Sequence, residues 1–107
     1  TRGMIGAEAI GKMRSDAVLI ATSRGGIVDE KALYDAMSGG HLLGAGIDVF
    51  EQEPLPAGNP LSSLPNVILS PHLAGSTRDA LAMKMKAIFG NYRRFYAGEP
   101  LNNEVPL

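Results

Sequence analysis

The sequence predicts an open α/β sheet of about three parallel strands with helices, followed by a long C-terminal helix. Short apolar runs alternate with helical patterns along the chain, which is typical of parallel strands joined by right-handed crossovers. Each apolar run also ends in polar residues of reactive types. Because three strands are few for such a sheet and helices could not cover all of their apolar surface, we interpret the chain as half of a larger fold.

The composition excludes several classes of function. The chain has 107 residues, 45% of them apolar and 20% charged, as expected for one soluble globular domain or part of one. A formal net charge of −1 provides no field to recruit nucleic acid or an anionic membrane surface. The absence of cysteine excludes disulfides and thiolate metal sites and is compatible with the cytoplasm, and we predict no metal site. No apolar run approaches the ~20 residues of a membrane span.

The first elements are predicted from apolar pattern and capping residues. A weak helix is expected over residues 6–13, and the apolar run at 17–22 suits a strand buried on both faces. Asp29 is placed to cap a helix over residues 30–37, which the glycine pair 39–40 then ends.

A second buried strand is predicted over residues 43–50. Its glycines at 44 and 46 imply that another backbone or a ligand comes close. Residues 51–66 hold four prolines and are predicted to form a long irregular loop, of the kind that often serves function. The apolar run at 67–70 is the third strand.

Ser76 and Asp79 resemble a capping box that opens a long last helix. The apolar face predicted for this helix consists of Leu81, Met85, Ile88, Phe89, Tyr92 and Phe95. The tail from residue 99 to 107 is expected to be extended.

Polar side chains follow all three predicted strands. Arg24 comes after the first strand, Asp48 and then Glu51 and Glu53 after the second, and His72 after the third. Because ligands of open parallel sheets bind beyond the carboxyl ends of the strands, these residues are candidates for one site. Arginine can hold a carboxylate and polarise a carbonyl, and histidine can donate a proton near neutral pH. Together with a carboxylate, they are the groups that reduction of a keto acid requires.

Each of these residues also has an ordinary structural interpretation. Arg24 could be a surface ion-pairing residue, Glu53 a solvated loop residue, and His72 a histidine with purely structural hydrogen bonds. Asp48 could simply cap the loop, although a carboxylate at the end of an apolar strand needs donors, and a ligand amide could supply one. Only their coincidence at three consecutive strand ends favours a functional site. The second histidine, His41, follows a helix end, where an exposed or carbonyl-bonded imidazole is expected, and it is assigned no function.

The segment from Gly44 to Gly46 begins like a dinucleotide-binding fingerprint but does not complete it. Val49 occupies the position of the third glycine, and the segment lies inside a strand instead of between a strand and a helix. The chain therefore has no phosphate-cradling loop, and the pyrophosphate half of any nucleotide site would lie elsewhere.

The segments "ATSRGGIVDEKAL", "GAGIDVFEQEPLP" and "NVILSPHLAGST" closely resemble the NAD(P)-dependent D-2-hydroxyacid dehydrogenases. The resemblance implies the second half of a Rossmann-type nucleotide-binding domain over residues 1–90. Residues 91–107 would be the end of the last helix and a tail that returns to the substrate domain.

The resemblance also implies roles for the candidate residues. Arg24 would bind the substrate carboxylate, His72 would act as acid and base, and Glu53 would pair with His72. Asp48 would accept a hydrogen bond from the nicotinamide carboxamide. The implied binding set for NAD or NADP is Thr22, Ser23, Arg24, Asp48, His72, Leu73, Ala74 and Gly75.

For the whole protein, the resemblance implies a cytoplasmic, homodimeric oxidoreductase that transfers hydride between NAD(P)H and a 2-keto or D-2-hydroxy acid. The isolated chain is expected to be inactive because half of the cofactor site is absent from it. Two alternatives stay open: a dehydrogenase-like corepressor that uses the nucleotide to control assembly, and a fragment that pairs its sheet edge with a second copy.

Overall fold

The structure, a computed structural model, describes residues 1–105 and divides into two compact units, Thr1–Ala74 and a second that begins at Gly75. The elements in chain order are α1 (Ala7–Gly11), β1 (Val18–Ala21), α2 (Glu30–Ser38), β2 (Gly44–Ile47), a 3-10 helix (Pro60–Ser63), β3 (Val67–Leu69) and α3 (Arg78–Ala97). The predicted helices and strands are all present, and most are shorter than expected.

The three strands form one parallel sheet in the order β1-β2-β3, as predicted. Val18 lies opposite Gly44 in the first pair, and Ile47 lies opposite Leu69 in the second. Because all strands run the same way, their carboxyl ends lie at one edge of the sheet. This edge carries the polar residues that the sequence singled out.

The core of the first unit lies on one face of the sheet. Leu19 and Ile47 are buried there together with Leu33 and Met37 of α2, and α1 packs against α2. On the opposite face, Ile20 is 65% exposed. The prediction that these strands are buried on both faces is therefore wrong for this chain. Successive side chains of a strand point to opposite faces, and within this unit the core covers only one of them.

Asp29 caps α2 as predicted, because its side chain accepts a hydrogen bond from the Ala32 N–H at 2.9 Å. The loop over residues 51–66 is not wholly irregular, which corrects that prediction. Asn59 accepts from the Leu61 N–H, and Pro60 occupies the first helical position, so the pair starts a short 3-10 helix.

Gly44 lies against backbone, since an added Cβ atom would be 3.2 Å from the Asn66 carbonyl oxygen. At Gly46 the neighbour is a side chain, with the Ile20 Cδ1 atom 2.9 Å from such a Cβ. The close approach of another backbone is therefore present at Gly44, whereas at Gly46 a side chain and not a backbone or a ligand comes close.

In the second unit, α3 is capped by Thr77 and not by the predicted pair of Ser76 and Asp79. The Thr77 hydroxyl oxygen accepts from the Ala80 N–H at 3.2 Å, because Thr77 is the last extended residue before the helix. All six side chains of the predicted apolar face are exposed.

Residues 99–105 contain no helix or strand, and Asn91 binds Asn102 through two hydrogen bonds. Residues 106 and 107, which complete the predicted extended tail, lie outside the described residues. Over residues 1–105, no helix combines the length and the apolar character needed to cross a membrane.

Candidate functional site

The turns that follow β1 and β2 are in direct backbone contact. A Cβ atom on Gly25 would lie only 1.7 Å from the carbonyl oxygen of Phe50, so only glycine fits at this position. The hydrogen bonds between neighbouring strands continue just past the strand ends. The Asp48 N–H donates to the Ala21 carbonyl oxygen and the Ser70 N–H donates to the Ile47 carbonyl oxygen, each at 2.9 Å. The sheet thus fixes the exits of all three strands relative to one another.

His72 and Glu53 form the pair that the sequence predicted. The His72 Nδ1 atom lies 2.8 Å from Glu53 Oε2, and the other oxygen of Glu53 accepts from the Phe50 N–H at 3.0 Å. The hydrogen bond from His72 lowers the pKa of Glu53, and the one from Phe50 lowers it further. Because a carboxylate only accepts, the imidazole donates from Nδ1, and its Nε2 atom takes no part in this pair.

The two side chains are only partly covered, with 42% of the His72 side chain and 36% of that of Glu53 exposed. A small molecule can therefore reach the imidazole. Beside the pair lies an open cavity of about 580 Å³, which is within the usual size range of small-molecule pockets. Its lining is Phe50, Glu53, Pro54, Leu55, Leu69, Ser70, Pro71 and His72.

Asp48 holds the turn that presents His72. It is 3% exposed, and its carboxylate accepts from the N–H groups of Leu73 at 2.8 Å and Ala74 at 2.9 Å. It also accepts a short hydrogen bond from the Ser70 hydroxyl. His72 itself has a φ of 57°, a left-handed conformation that is unfavourable for a side-chain-bearing residue. The three bonds to Asp48 on either side of His72 keep the backbone in this conformation.

These bonds also set the protonation of Asp48. The Ser70 hydroxyl makes the largest contribution to a lowered pKa of the carboxyl group, and the N–H groups of Ala74 and Leu73 lower this pKa further. A buried carboxylate with three donors is stable in its charged form. The sequence pointed to Asp48 either as a residue that caps the loop or as a cofactor ligand, and it did not single out Ser70. Their pairing was not detectable because 22 residues separate them in the chain.

Arg24 is exposed at the end of β1, and its Nη1 atom donates to the Ser23 carbonyl oxygen at 2.7 Å. Within residues 1–105 this is its one hydrogen bond, so the rest of the guanidinium is available to an anion. Of the remaining predicted cofactor residues, Thr22, Ser23, Leu73 and Ala74 are exposed beside the strand exits, and Gly75 opens the second unit.

The other histidine lies against a backbone carbonyl, as expected. The Nε2 atom of His41 lies 3.1 Å from the Ile10 carbonyl oxygen. Among the described residues, no cluster of three histidine, aspartate or glutamate side chains could hold a metal ion.

Comparisons with known proteins agree with this geometry. Residues 1–74 match the model of the family described as D-isomer specific 2-hydroxyacid dehydrogenase, NAD binding domain. The chain is 45% identical to a glycerate dehydrogenase of Methylorubrum extorquens over 95% of this chain and 33% of the relative. It is 44% identical to a glyoxylate reductase of Korarchaeum cryptofilum over 92% of this chain and 30% of the relative. The chain thus spans about a third of the length of these relatives.

A crystal structure of a D-isomer-specific 2-hydroxyacid dehydrogenase from Xanthobacter autotrophicus Py2, in complex with NADPH and MES, has the same fold. Its TM-score is 0.82 at 43% identity, and the match covers 99% of this chain and 43% of that one. The sheet, the paired histidine and glutamate and the family match lead to one assignment. This chain belongs to the D-isomer-specific 2-hydroxyacid dehydrogenases, within their NAD-binding domain.

Proposed function

We propose that the intact protein carrying this chain transfers hydride between NAD(P)H and a 2-keto or D-2-hydroxy acid. The observation that carries the proposal is the contact of 2.8 Å between His72 and Glu53 at the carboxyl edge of the sheet. The names of the relatives, a glyoxylate reductase and a glycerate dehydrogenase, support a small substrate of this class.

His72 is the proposed acid and base. Its Nδ1–H donates to Glu53, so Nε2 gives a proton to the carbonyl oxygen while hydride adds to the carbonyl carbon. The keto acid becomes a hydroxy acid, and the imidazolium becomes neutral imidazole. Glu53 orients the ring and stabilises the imidazolium before the proton leaves. In the reverse direction, Nε2 removes the hydroxyl proton.

Arg24 is proposed to bind the substrate carboxylate. Its guanidinium is planar and permanently charged, so it can hold a carboxylate through two parallel hydrogen bonds. Such binding would fix the keto group next to His72 and polarise its carbonyl.

The nicotinamide half of NAD or NADP is proposed to lie against the strand exits, where it would supply or accept the hydride. Thr22 and Ser23 would line one side, and the turn from His72 to Gly75 the other. The fit is sterically reasonable, because Ala74 and Gly75 are small and exposed. Asp48 is proposed to accept a hydrogen bond from the carboxamide. This bond would come in addition to the three that its carboxylate already accepts within the protein.

The test is steady-state turnover of glyoxylate and hydroxypyruvate by the intact protein with NADH or NADPH. His72→Gln is expected to reduce kcat by about 100-fold or more, because a general acid is lost. The matched control is His41→Gln, which removes the other imidazole and is expected to retain activity. An unchanged rate in the His72 variant would return this residue to a structural role.

The same assay separates the alternative function. Nucleotide binding without turnover of any 2-keto acid would favour the dehydrogenase-like corepressor. A homodimer, a cytoplasmic location and a domain division at residue 90 are further proposals for the intact protein. Size-exclusion chromatography with light scattering tests the first of them.

A further inference from the structure

Glu30 of α2 contacts the loop that carries Glu53. It occupies the first turn of α2, directly after the capping residue Asp29, and is half-buried. One of its oxygens accepts from the Glu51 N–H at 2.6 Å, and the other accepts from the Asn59 side-chain amide at 3.2 Å. A single carboxylate therefore binds two points of the chain that are eight residues apart.

These two points enclose the part of the loop that serves the site. Glu53 follows Glu51 by two residues, and Pro54 and Leu55 line the cavity beside His72. Asn59 is itself fixed, because its side-chain oxygen accepts from the N–H of Leu61, which is buried. Both oxygens of Glu30 are used within the protein, so its arrangement is that of a clamp and not of a ligand site.

We propose that Glu30 is a positioning residue, which holds the loop over residues 51–59 so that Glu53 stays within hydrogen-bond distance of His72. The proposal rests on the proposed function for its catalytic consequence, whereas its structural content can be measured separately. If the two hydrogen bonds accepted by Glu30 were lost, the hydrogen bond from the Phe50 N–H would still orient the Glu53 side chain, but the loop that carries Glu53 would be held less firmly.

The first experiment is an NMR titration of the Glu53 side-chain carboxyl carbon in the 107-residue chain. In Glu30→Ala the clamp is lost, Glu53 moves away from His72, and the pKa of Glu53 is expected to rise from its lowered position. Loss of the Glu30 charge alone would act in the opposite direction, because removal of a nearby negative charge lowers the pKa of a carboxyl group. An unchanged or lower pKa of Glu53 overturns the proposal.

Two further variants make this result specific. Glu30→Gln removes the same charge but keeps one acceptor oxygen for the Glu51 N–H, so a smaller rise in the pKa of Glu53 is expected than in Glu30→Ala. If the alanine variant fails to fold, the glutamine variant takes its place in the test. A rise as large in Glu30→Gln as in a folded Glu30→Ala overturns the clamp. Glu8→Ala is the control, because Glu8 is an exposed first-turn glutamate of α1 that pairs with Lys12. The Glu53 pKa is expected to stay unchanged in this control.

The second experiment is kinetic and uses the intact protein. Glu30→Ala is expected to reduce kcat about 10-fold, because misplacement of a catalytic pair by a fraction of an ångström slows the chemical step. KM for the keto acid is expected to change little, since Arg24 makes no hydrogen bond to this loop segment among the described residues. A change in KM with kcat unaltered contradicts the proposal. Absence of turnover in the wild type would contradict the proposed function, whereas the NMR result would still decide the clamp.

Discussion

At the scale of single residues, the site depends on two carboxylates with different tasks. Glu53 is partly exposed and contacts the imidazole, whereas Asp48 is buried and accepts hydrogen bonds from residues on either side of His72. Asp48 binds Ser70 before His72 and the N–H groups of Leu73 and Ala74 after it. The left-handed backbone of His72 is therefore supported from both sides, while the hydrogen bond to Glu53 orients its ring.

Both carboxylates make stability depend on pH. The pKa of Asp48 lies below its ordinary value of 3.8, and that of Glu53 lies below its ordinary value of 4.5. Their contribution to stability is thus fully present above these ordinary values and is lost as the pH falls through the lowered folded-state values. Asp48→Asn is expected to lower the free energy of unfolding at pH 7. The further decrease of this free energy on acidification is expected to be smaller than in the wild type. Urea denaturation at pH 7 and at a pH below the ordinary carboxyl value of 3.8 measures both effects.

The control for this prediction is Asp35→Asn. Asp35 lies in an exposed ion pair with Lys31, of the kind that contributes little to stability. This variant is expected to retain the acid dependence of the wild type. If the free energy of unfolding of Asp48→Asn falls on acidification as much as that of the wild type, the hydrogen bonds of Asp48 do not stabilise the fold.

At the scale of elements, the parallel sheet brings together residues that are far apart in the chain. β1 pairs with β2 and β2 with β3, so the exits that carry Arg24, Glu53 and His72 share one edge. The exit of β1 packs so tightly against that of β2 that no side chain fits at Gly25. The position of Arg24 therefore depends on its glycine neighbour.

Gly25→Ala is expected to destabilise the chain by about 3 kcal/mol or more, because its Cβ atom would overlap the backbone of Phe50. Gly11→Ala is the matched control, since nothing lies within 4 Å of the added Cβ atom. It is expected to be neutral or to stabilise by a few tenths of a kcal/mol. Urea denaturation of both variants measures the difference, and equal stabilities would contradict the close contact.

At the scale of the whole molecule, apolar surface is left uncovered. Ile68 on the sheet is 77% exposed, and the apolar side chains of α3 are exposed as well. Large apolar side chains on a folded unit are normally covered by further structure or by a partner. The chain also spans about a third of the length of the two relatives.

The isolated chain is expected to show no turnover of glyoxylate or hydroxypyruvate with either nucleotide. It carries the groups for the proton and the substrate carboxylate, but its sequence contains no glycine-rich loop to cradle the pyrophosphate. The measurement is the loss of the absorbance of reduced nicotinamide over a range of chain concentrations, with the intact protein as the positive control. Turnover by the chain alone would contradict this expectation.

Much of the fold could be predicted because local signals are strong here. Apolar runs gave three strands, and Asp29 gave the start of α2, since a cap depends on residues only three apart. The start of α3 was less predictable, because Ser76 and Thr77 are both capping residues and backbone geometry decides between them. The burial of the strands on one face depended on which helices pack there, and that is not a local property.

The sequence by itself determined the order of the elements, the parallel sheet and the family, which follow from patterns and motifs that are continuous along the chain. The pairing of His72 with Glu53 was predicted from the resemblance to that family. Only the tertiary structure decided that Asp48 supports the His72 turn, that Gly25 touches Phe50, and that Glu30 reaches the loop of Glu53. The physical reason is that each of these contacts joins residues some 20 or more positions apart, whose distance is set by the register of the sheet and the packing of α2 on it.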